Sequence, residues 1–232
     1  NCASYVQINS LLEGDCSHGG LIGYTQGSGT VRVNNCLFAG SINGANTNNC
    51  GGICGWSEVK TIISNCLLTG NLNIQTEGCA TFSRYNMATI ENCYYKEGFM
   101  ESGDYERGVK VSVGQLASGE VCYLLNGDQS DICWYQVIGE DAHPVLDASH
   151  AVVYTTAEKR CDGKVVGEGH YTNDEKLSSV TPPHQYENDV CTVCGQFNLE
   201  FLDMKDGFYQ IADASQLVRF MKAVNVGNIK FK

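Results

Sequence analysis

An Asn-Cys pair recurs in phase along the chain, at residues 1–2, 35–36, 65–66 and 92–93, with steps of 34, 30 and 27 residues. A glycine signature returns in phase with them. It reads Gly19-Gly20-Leu21-Ile22-Gly23-Tyr24, then Gly51-Gly52-Ile53-Cys54-Gly55-Trp56, then a decayed copy, Gly78-Cys79-Ala80-Thr81-Phe82. Residue types that return at one period mark a stacked repeat, in which each unit packs on its own copy. Before each later Asn-Cys pair lies an apolar stretch: Val31-Arg32-Val33, Thr61-Ile62-Ile63 and Ala88-Thr89-Ile90. Alternation puts Val33, Ile63 and Ile90 on one face, the core side.

The glycine block supplies a second strand, making Leu21, Ile53 and Cys79 equivalent, and likewise Tyr24, Trp56 and Phe82. A third begins after each Cys, at Leu37-Phe38, Leu67-Leu68 and Tyr94-Tyr95, and ends at Gly40, Gly70 or Gly98. Three short strands in a repeat of this length leave no room for a helix. The sequence therefore predicts a mainly β fold, a right-handed parallel β-solenoid of about three coils over residues 1–100. Aligned Asn side chains would satisfy backbone groups at the bends and bond to the Asn of the next coil. An antiparallel sandwich with Gly-rich turns does not explain two signatures returning together.

The thirteen cysteines are an odd number. Exported chains use cysteines in disulfides, but Cys2, Cys36, Cys66 and Cys93 share one repeat position. A free thiol packs as a small apolar group, so a buried thiol stack is the expectation here. Acidic residues outnumber basic ones, 26 to 15, for a formal charge of −11. Nothing in that balance would neutralise phosphates, which argues against nucleic acid as a partner. No apolar run is long enough for membrane insertion. The first residue falls inside a repeat and no signal peptide precedes it. The expectation is a fragment of a larger exported protein, extracellular or at the cell surface, with neighbouring repeat modules on the same longer chain.

Residues 101–155 change character. Ser112–Asn126 reads as helical turns broken near Gly119 and stopped by Asn126-Gly127-Asp128. Residues 132–139 and 151–154 read as strands, with His143-Pro144 between them. An α+β cap here would cover an open solenoid end. Residues 156–196 form a polar, Cys/His-rich linker. Within it Cys191-Thr192-Val193-Cys194-Gly195 lets two thiolates converge on one ion while the glycine relieves the tight turn. With Cys161 and His184 it makes a Cys₃His set suited to zinc, and a segment with so little core of its own would gain a staple. Three other readings compete: a disulfide from Cys161 to Cys191 or Cys194, a redox pair of Cys191 with Cys194, and solvated His170 and His184. From residue 197 to 232 a following module opens with a strand at 206–211. A helix capped by Asp213 and Gln216 comes next, with Leu217, Phe220, Met221 and Val224 on one face and Asn225-Val226-Gly227 at its end.

The Gly-Gly-Leu-Ile-Gly and Gly-Gly-Ile-Cys-Gly blocks resemble the GLUG motif, a short repeat of large surface and adhesin-like proteins of gut anaerobes. The resemblance covers residues 19 to about 95, and the third copy lacks both terminal glycines of the pattern, so an irregular last coil is expected. The stretch from Ala117 to Leu146 is similar to the segment that follows such repeats. His184-Gln185-Tyr186 with Cys191 and Cys194 looks like a linker of secreted bacterial repeat proteins, and residues 206–227 look like the lead-in to a further array.

Enzymes on β-solenoids place carboxylates, or a carboxylate with a base, on neighbouring coils of one face. Here Glu13, Asp15, Glu58, Glu77, Glu91 and Glu97 are scattered, and Asn34 and Ser64 stand where Glu91 does. The glycine blocks precede no helix, which removes a phosphate cradle. Asp128 and Asp131 are too few for a calcium loop. The expected function is a non-catalytic, adhesin-like surface module. It would present a rigid face to a host or matrix glycan or protein, or act as a spacer. The alternative is a polysaccharide lyase or glycoside hydrolase on the same scaffold.

Overall fold

The computed structural model describes residues 1–75, 77–85, 87–101 and 105–226. They divide into two units, Asn1–Thr155 with Tyr171–Leu177, and Thr156–His170 with the residues from Ser178 onward.

The first unit is a parallel β-solenoid of about three turns. One coil holds β1 (Cys2–Ser4), β2 (Gln7–Asn9), β3 (Gly14–Asp15), β4 (Ile22–Thr25) and β5 (Thr30–Asn34). The next holds β6 (Cys36–Phe38), β7 (Ser41–Gly44), β8 (Thr47–Asn48), β9 (Cys54–Ser57) and β10 (Lys60–Ser64), and the third β11 (Leu67–Leu68), β12 (Asn71–Ile74) and β13 (Thr89–Glu91). Like pairs with like in parallel: Cys2 opposes Cys36, Val33 opposes Ile63, and Ile63 opposes Ile90. The first two coils thus have five strands each, more than the three expected, and the third has three. Val33, Ile63, Phe38 and Leu68 are buried in the interior, with Ile90 half-buried beside them.

The glycine signature is explained by close approach. A Cβ on Gly52 would lie 2.1 Å from the Thr81 carbonyl oxygen, and one on Gly70 would lie 2.0 Å from that of Gly40. Glycine lets coils stack backbone on backbone there. In the third coil the signature is replaced by isolated bridges at Ala80 and Ser83, the irregularity that its missing glycines predict. The register there differs from the sequence expectation. Gly51 pairs with Ala80 and Cys54 with Ser83, so Phe82, not Cys79, stands opposite Ile53, and Tyr85, not Phe82, meets the Trp56 ring. The offset between these coils is 30 residues at β7–β12 but 27 at β10–β13, and most of the shortening falls after Ser83. Matching glycine to glycine therefore slipped the alignment by three.

Residues 105–155 both extend the solenoid and cover its flank. Strand β14 (Tyr94–Lys96) pairs in parallel with β15 (Val109–Val111), continuing the sheet β1–β6–β11–β14. Two helices follow, α1 (Val113–Ala117), opened by a Ser112–Gln115 capping box, and α2 (Glu120–Asn126), separated by Gly119 at φ 88°. Leu37, Leu67 and Tyr94 alternate with inward neighbours on that sheet, and their outer side packs on Leu116, Val121, Leu125 and Trp134. The chain at 132–139 and 151–153 is not strand. Asn126 Oδ1 accepts from the N–H groups of Cys133 and Trp134, and Asn173 Nδ2 donates to the carbonyls of Gln136 and Val152. Side-chain amides here replace a strand ladder. Tyr154–Thr155 (β16) pairs antiparallel with Tyr171–Thr172 (β17).

The second unit contains two antiparallel hairpins, β18 (Tyr186–Glu187) with β19 (Val190–Cys191) and β20 (Asp203–Lys205) with β21 (Phe208–Gln210), then α3 (Ala214–Val226). Both turns have two residues at positive φ, Asn188-Asp189 and Asp206-Gly207, the conformation that tight hairpins require. Asp213 and Gln216 cap α3 as the sequence predicts. Its buried side differs from expectation: Ala223 is buried and Phe220 half-buried, while Leu217, Met221 and Val224 are exposed. Gly227, read as part of the helix stop, lies outside the described residues.

Candidate metal centre

Cys161, His184, Cys191 and Cys194 come together in the second unit, with their ligand atoms all within 4.8 Å of one another. The β18–β19 hairpin delivers Cys191 at its end. The chain then turns tightly: Gly195 N–H donates to the Cys191 carbonyl at 2.8 Å, with Gly195 at φ 75°. That turn brings Cys194 back beside Cys191. Cys161 sits on a second tight turn, where Arg160 N–H donates to the Lys164 carbonyl and Gly163 N–H to that of Arg160. Arg160 also reaches the Val193 carbonyl at 3.1 Å and Asp162 at 3.2 Å, tying one turn to the other. His184 follows Pro182-Pro183, and its ring stacks on Tyr186 with centroids 5.4 Å apart.

The spacings suit a tetrahedral ion. The Cys161 and Cys191 sulfurs are 3.5 Å apart, and Cys194 Sγ lies 3.4 Å from His184 Nδ1. Zinc bonds of roughly 2.3 Å to sulfur and 2.0 Å to nitrogen give tetrahedral edges of about 3.5–3.8 Å. Three thiols and an imidazole are soft donors, which disfavours calcium or magnesium. The cluster can hold a metal ion. Cys161 and Cys191 share their ionisation. Burial and thiol bonds to Cys191 and Cys194 push Cys161 up to about 12. Burial also opposes charge on Cys191, but the Cys194 and Val193 N–H groups and His184 outweigh it and bring that thiol down to about 5. A site holding one thiolate is ready to take a cation as its other protons leave. All four residues named from sequence meet here; His170, the other histidine of the linker, is not part of the cluster.

The thirteen cysteines are free thiols. Cys36, Cys66 and Cys93 are buried in one column, their own i−2 carbonyls accepting from each, whereas Cys2, expected as its fourth member, is exposed opposite Cys36. Cys66, bonded between Cys36 and Cys93 and fully enclosed, is held well above its ordinary value. A second buried column escaped the sequence reading: the Cys50 N–H points at Cys79 Sγ, 3.3 Å away, with Cys16 on the coil before. The signal was present, since Cys16 and Cys50 each lie just before a Gly-Gly pair and Cys79 just before Ala80-Thr81, the residues opposite Gly51-Gly52. Also unforeseen are the Asn9–Asn43–Asn73 ladder, bonded at 3.0 and 2.8 Å, and His150 on Asp141 at 2.7 Å.

No helix among the described residues is long and apolar enough to cross a membrane. Comparison with protein-family models, with curated proteins and with solved structures found no match.

Proposed function

We propose that the chain is a non-catalytic, adhesin-like module of a secreted or cell-surface protein. In this reading its solenoid offers a rigid face to a host or matrix glycan or protein, and its Cys₃His cluster carries a structural zinc. The observation that carries the reading is that three carboxylates on the solenoid, those of Asp15, Glu58 and Glu13, are engaged in bonds between coils. Asp15 takes Arg84 in a bidentate pair at 2.6 and 2.8 Å, which holds its carboxyl below the ordinary value. Glu58 accepts from the Tyr24 hydroxyl of the preceding coil, and Glu13 from Asn46 at 3.3 Å. A carboxylate locked to a partner holds a surface in place and is poorly placed to shuttle protons. Amide ladders serve the same rigidity. Zinc fits the thiol-rich donor set, and with three thiol ligands and one imidazole it leaves no open position for a reacting water.

The test is incubation of the purified chain with cellulose, xylan, pectin, mucin and collagen, measuring retention together with new reducing ends and unsaturated sugars. Retention on at least one material with no product is the expected result. Product accumulation would establish the lyase or hydrolase alternative instead.

A further inference from the structure

Beside the Asn-Cys corner of the solenoid lies an open groove of about 520 Å³, between the β5–β10–β13 sheet and the turn after α2. One wall is a column of polar side chains, Asn34, Ser64 and Glu91, in register on successive strands and so about 4.8 Å apart. Asp128 faces them from the turn, and Leu124 supplies an apolar strip. The column is fixed by its own bonds. Asn34 Oδ1 accepts from Ser64 Oγ at 3.1 Å and Asn65 Nδ2 at 3.0 Å, and Asn92 Nδ2 donates to Asn65 at 2.8 Å and to the Leu124 carbonyl at 2.9 Å. These bonds engage Asn34 Oδ1 but not its Nδ2. That amide donor and the carboxylates of Glu91 and Asp128 have no hydrogen-bond partner among the described residues. The Asn34 amide is thus held in place through its Oδ1, and all three groups are available.

We propose that this groove binds an uncharged glycan strand laid along the solenoid axis. Sugar hydroxyls both donate and accept, so they need an amide N–H and carboxylate acceptors side by side, with a small apolar strip for a ring face. Hydrogen bonds to a carboxylate are among the stronger neutral–ionic contacts. Two carboxylates on a chain of charge −11 repel uronates and sulfated sugars. A column repeating once per coil suits a ligand that itself repeats, and the Asn34 amide, already locked, loses little freedom on binding. The proposal deepens the surface-module reading and rests on it.

The experiment titrates the full ¹⁵N-labelled chain with cellohexaose, mannohexaose, xylohexaose and maltohexaose, and with hexagalacturonate as the charged control. The substitutions E91A and D128A, both of exposed side chains, accompany it. At least one neutral hexaose should shift the Asn34 side-chain amide signals, and each substitution should weaken it about tenfold. Neutral sugar binding that ignores both substitutions would overturn the groove while leaving a glycan-binding module intact. Binding of no probe, or preference for hexagalacturonate, would also overturn the groove. Cleavage of a bound hexaose that E91A and D128A both weaken would keep the groove and overturn the non-catalytic reading.

Discussion

The bends between coils are made by single asparagines. Asn35, Asn65 and Asn92 sit at φ 51°, 52° and 47°, a left-handed conformation that asparagine tolerates better than most residues. Asn92 bonds to Asn65, as a ladder requires, but Asn65 turns to Asn34. Asn35 instead exchanges bonds with Gln129 and accepts from the Trp134 indole at 3.1 Å. Asn65→Ala should cost about 1–2 kcal/mol from the backbone alone, whereas Asn65→Gly should recover most of that loss in urea unfolding. A second residue-scale effect is pH-dependent. The Asp141 carboxylate raises His150 above its ordinary 6.5, with Asp147 and Glu140 adding to it. Burial opposes ionisation of Asp141, but the Val137 N–H and His150 overcome it and hold Asp141 below 3.8. A raised histidine stabilises below its unfolded pKa and stops doing so as pH rises through the folded one. A lowered aspartate stabilises above its unfolded pKa and fails as pH falls through the folded one. The Tm difference between the native chain and His150→Gln should therefore be largest between the ordinary values of the two groups, 3.8 and 6.5, and vanish in alkali. A difference that grows with pH would contradict the pairing.

At the level of elements, what the sequence makes legible depends on how the backbone groups are satisfied. Phased repeats told where strands stack, because each position meets its own copy. Ser112, Gln115 and Gly119 told where helices start and break, because caps are local chemistry. Residues 132–139 misled, because Trp134 is buried like a strand residue while its backbone N–H goes to the Asn126 side chain, a partner that no periodicity reveals. The face of α3 misled for a related reason. Arg219, not an apolar stripe, fastens the helix. It makes two bonds to Asp189, at 2.8 and 2.5 Å, and stacks on Phe201 at 3.7 Å. Because this pair is partly exposed, Arg219→Ala should lower stability only slightly. The loss should appear as faster amide exchange confined to α3, with exchange in the solenoid unchanged. Loss spreading through the solenoid would show that α3 is not held this way.

For the whole molecule, two cysteine chemistries stand on one chain. Cys36, Cys66 and Cys93, with Cys16, Cys50 and Cys79, line the solenoid interior as small apolar groups. Cys161, Cys191 and Cys194 converge with His184 on a point. The first use is readable from repeat phase, though the slip at Cys79 hid the second column. The metal cluster is readable because a Cys-x-x-Cys-Gly turn dictates its own geometry, while the partners Cys161 and His184 followed from residue type. The groove at Asn34, Glu91 and Asp128 was not readable, since it depends on where the turn after α2 comes to lie. The most direct measurement is zinc content together with thiol titration on the purified, unreduced chain. About one zinc per chain is predicted, with all thirteen thiols recovered after denaturation and chelation and the buried ones unreactive before it. A chain without metal, missing two or more thiols to disulfides, would contradict both the zinc site and the thiol columns.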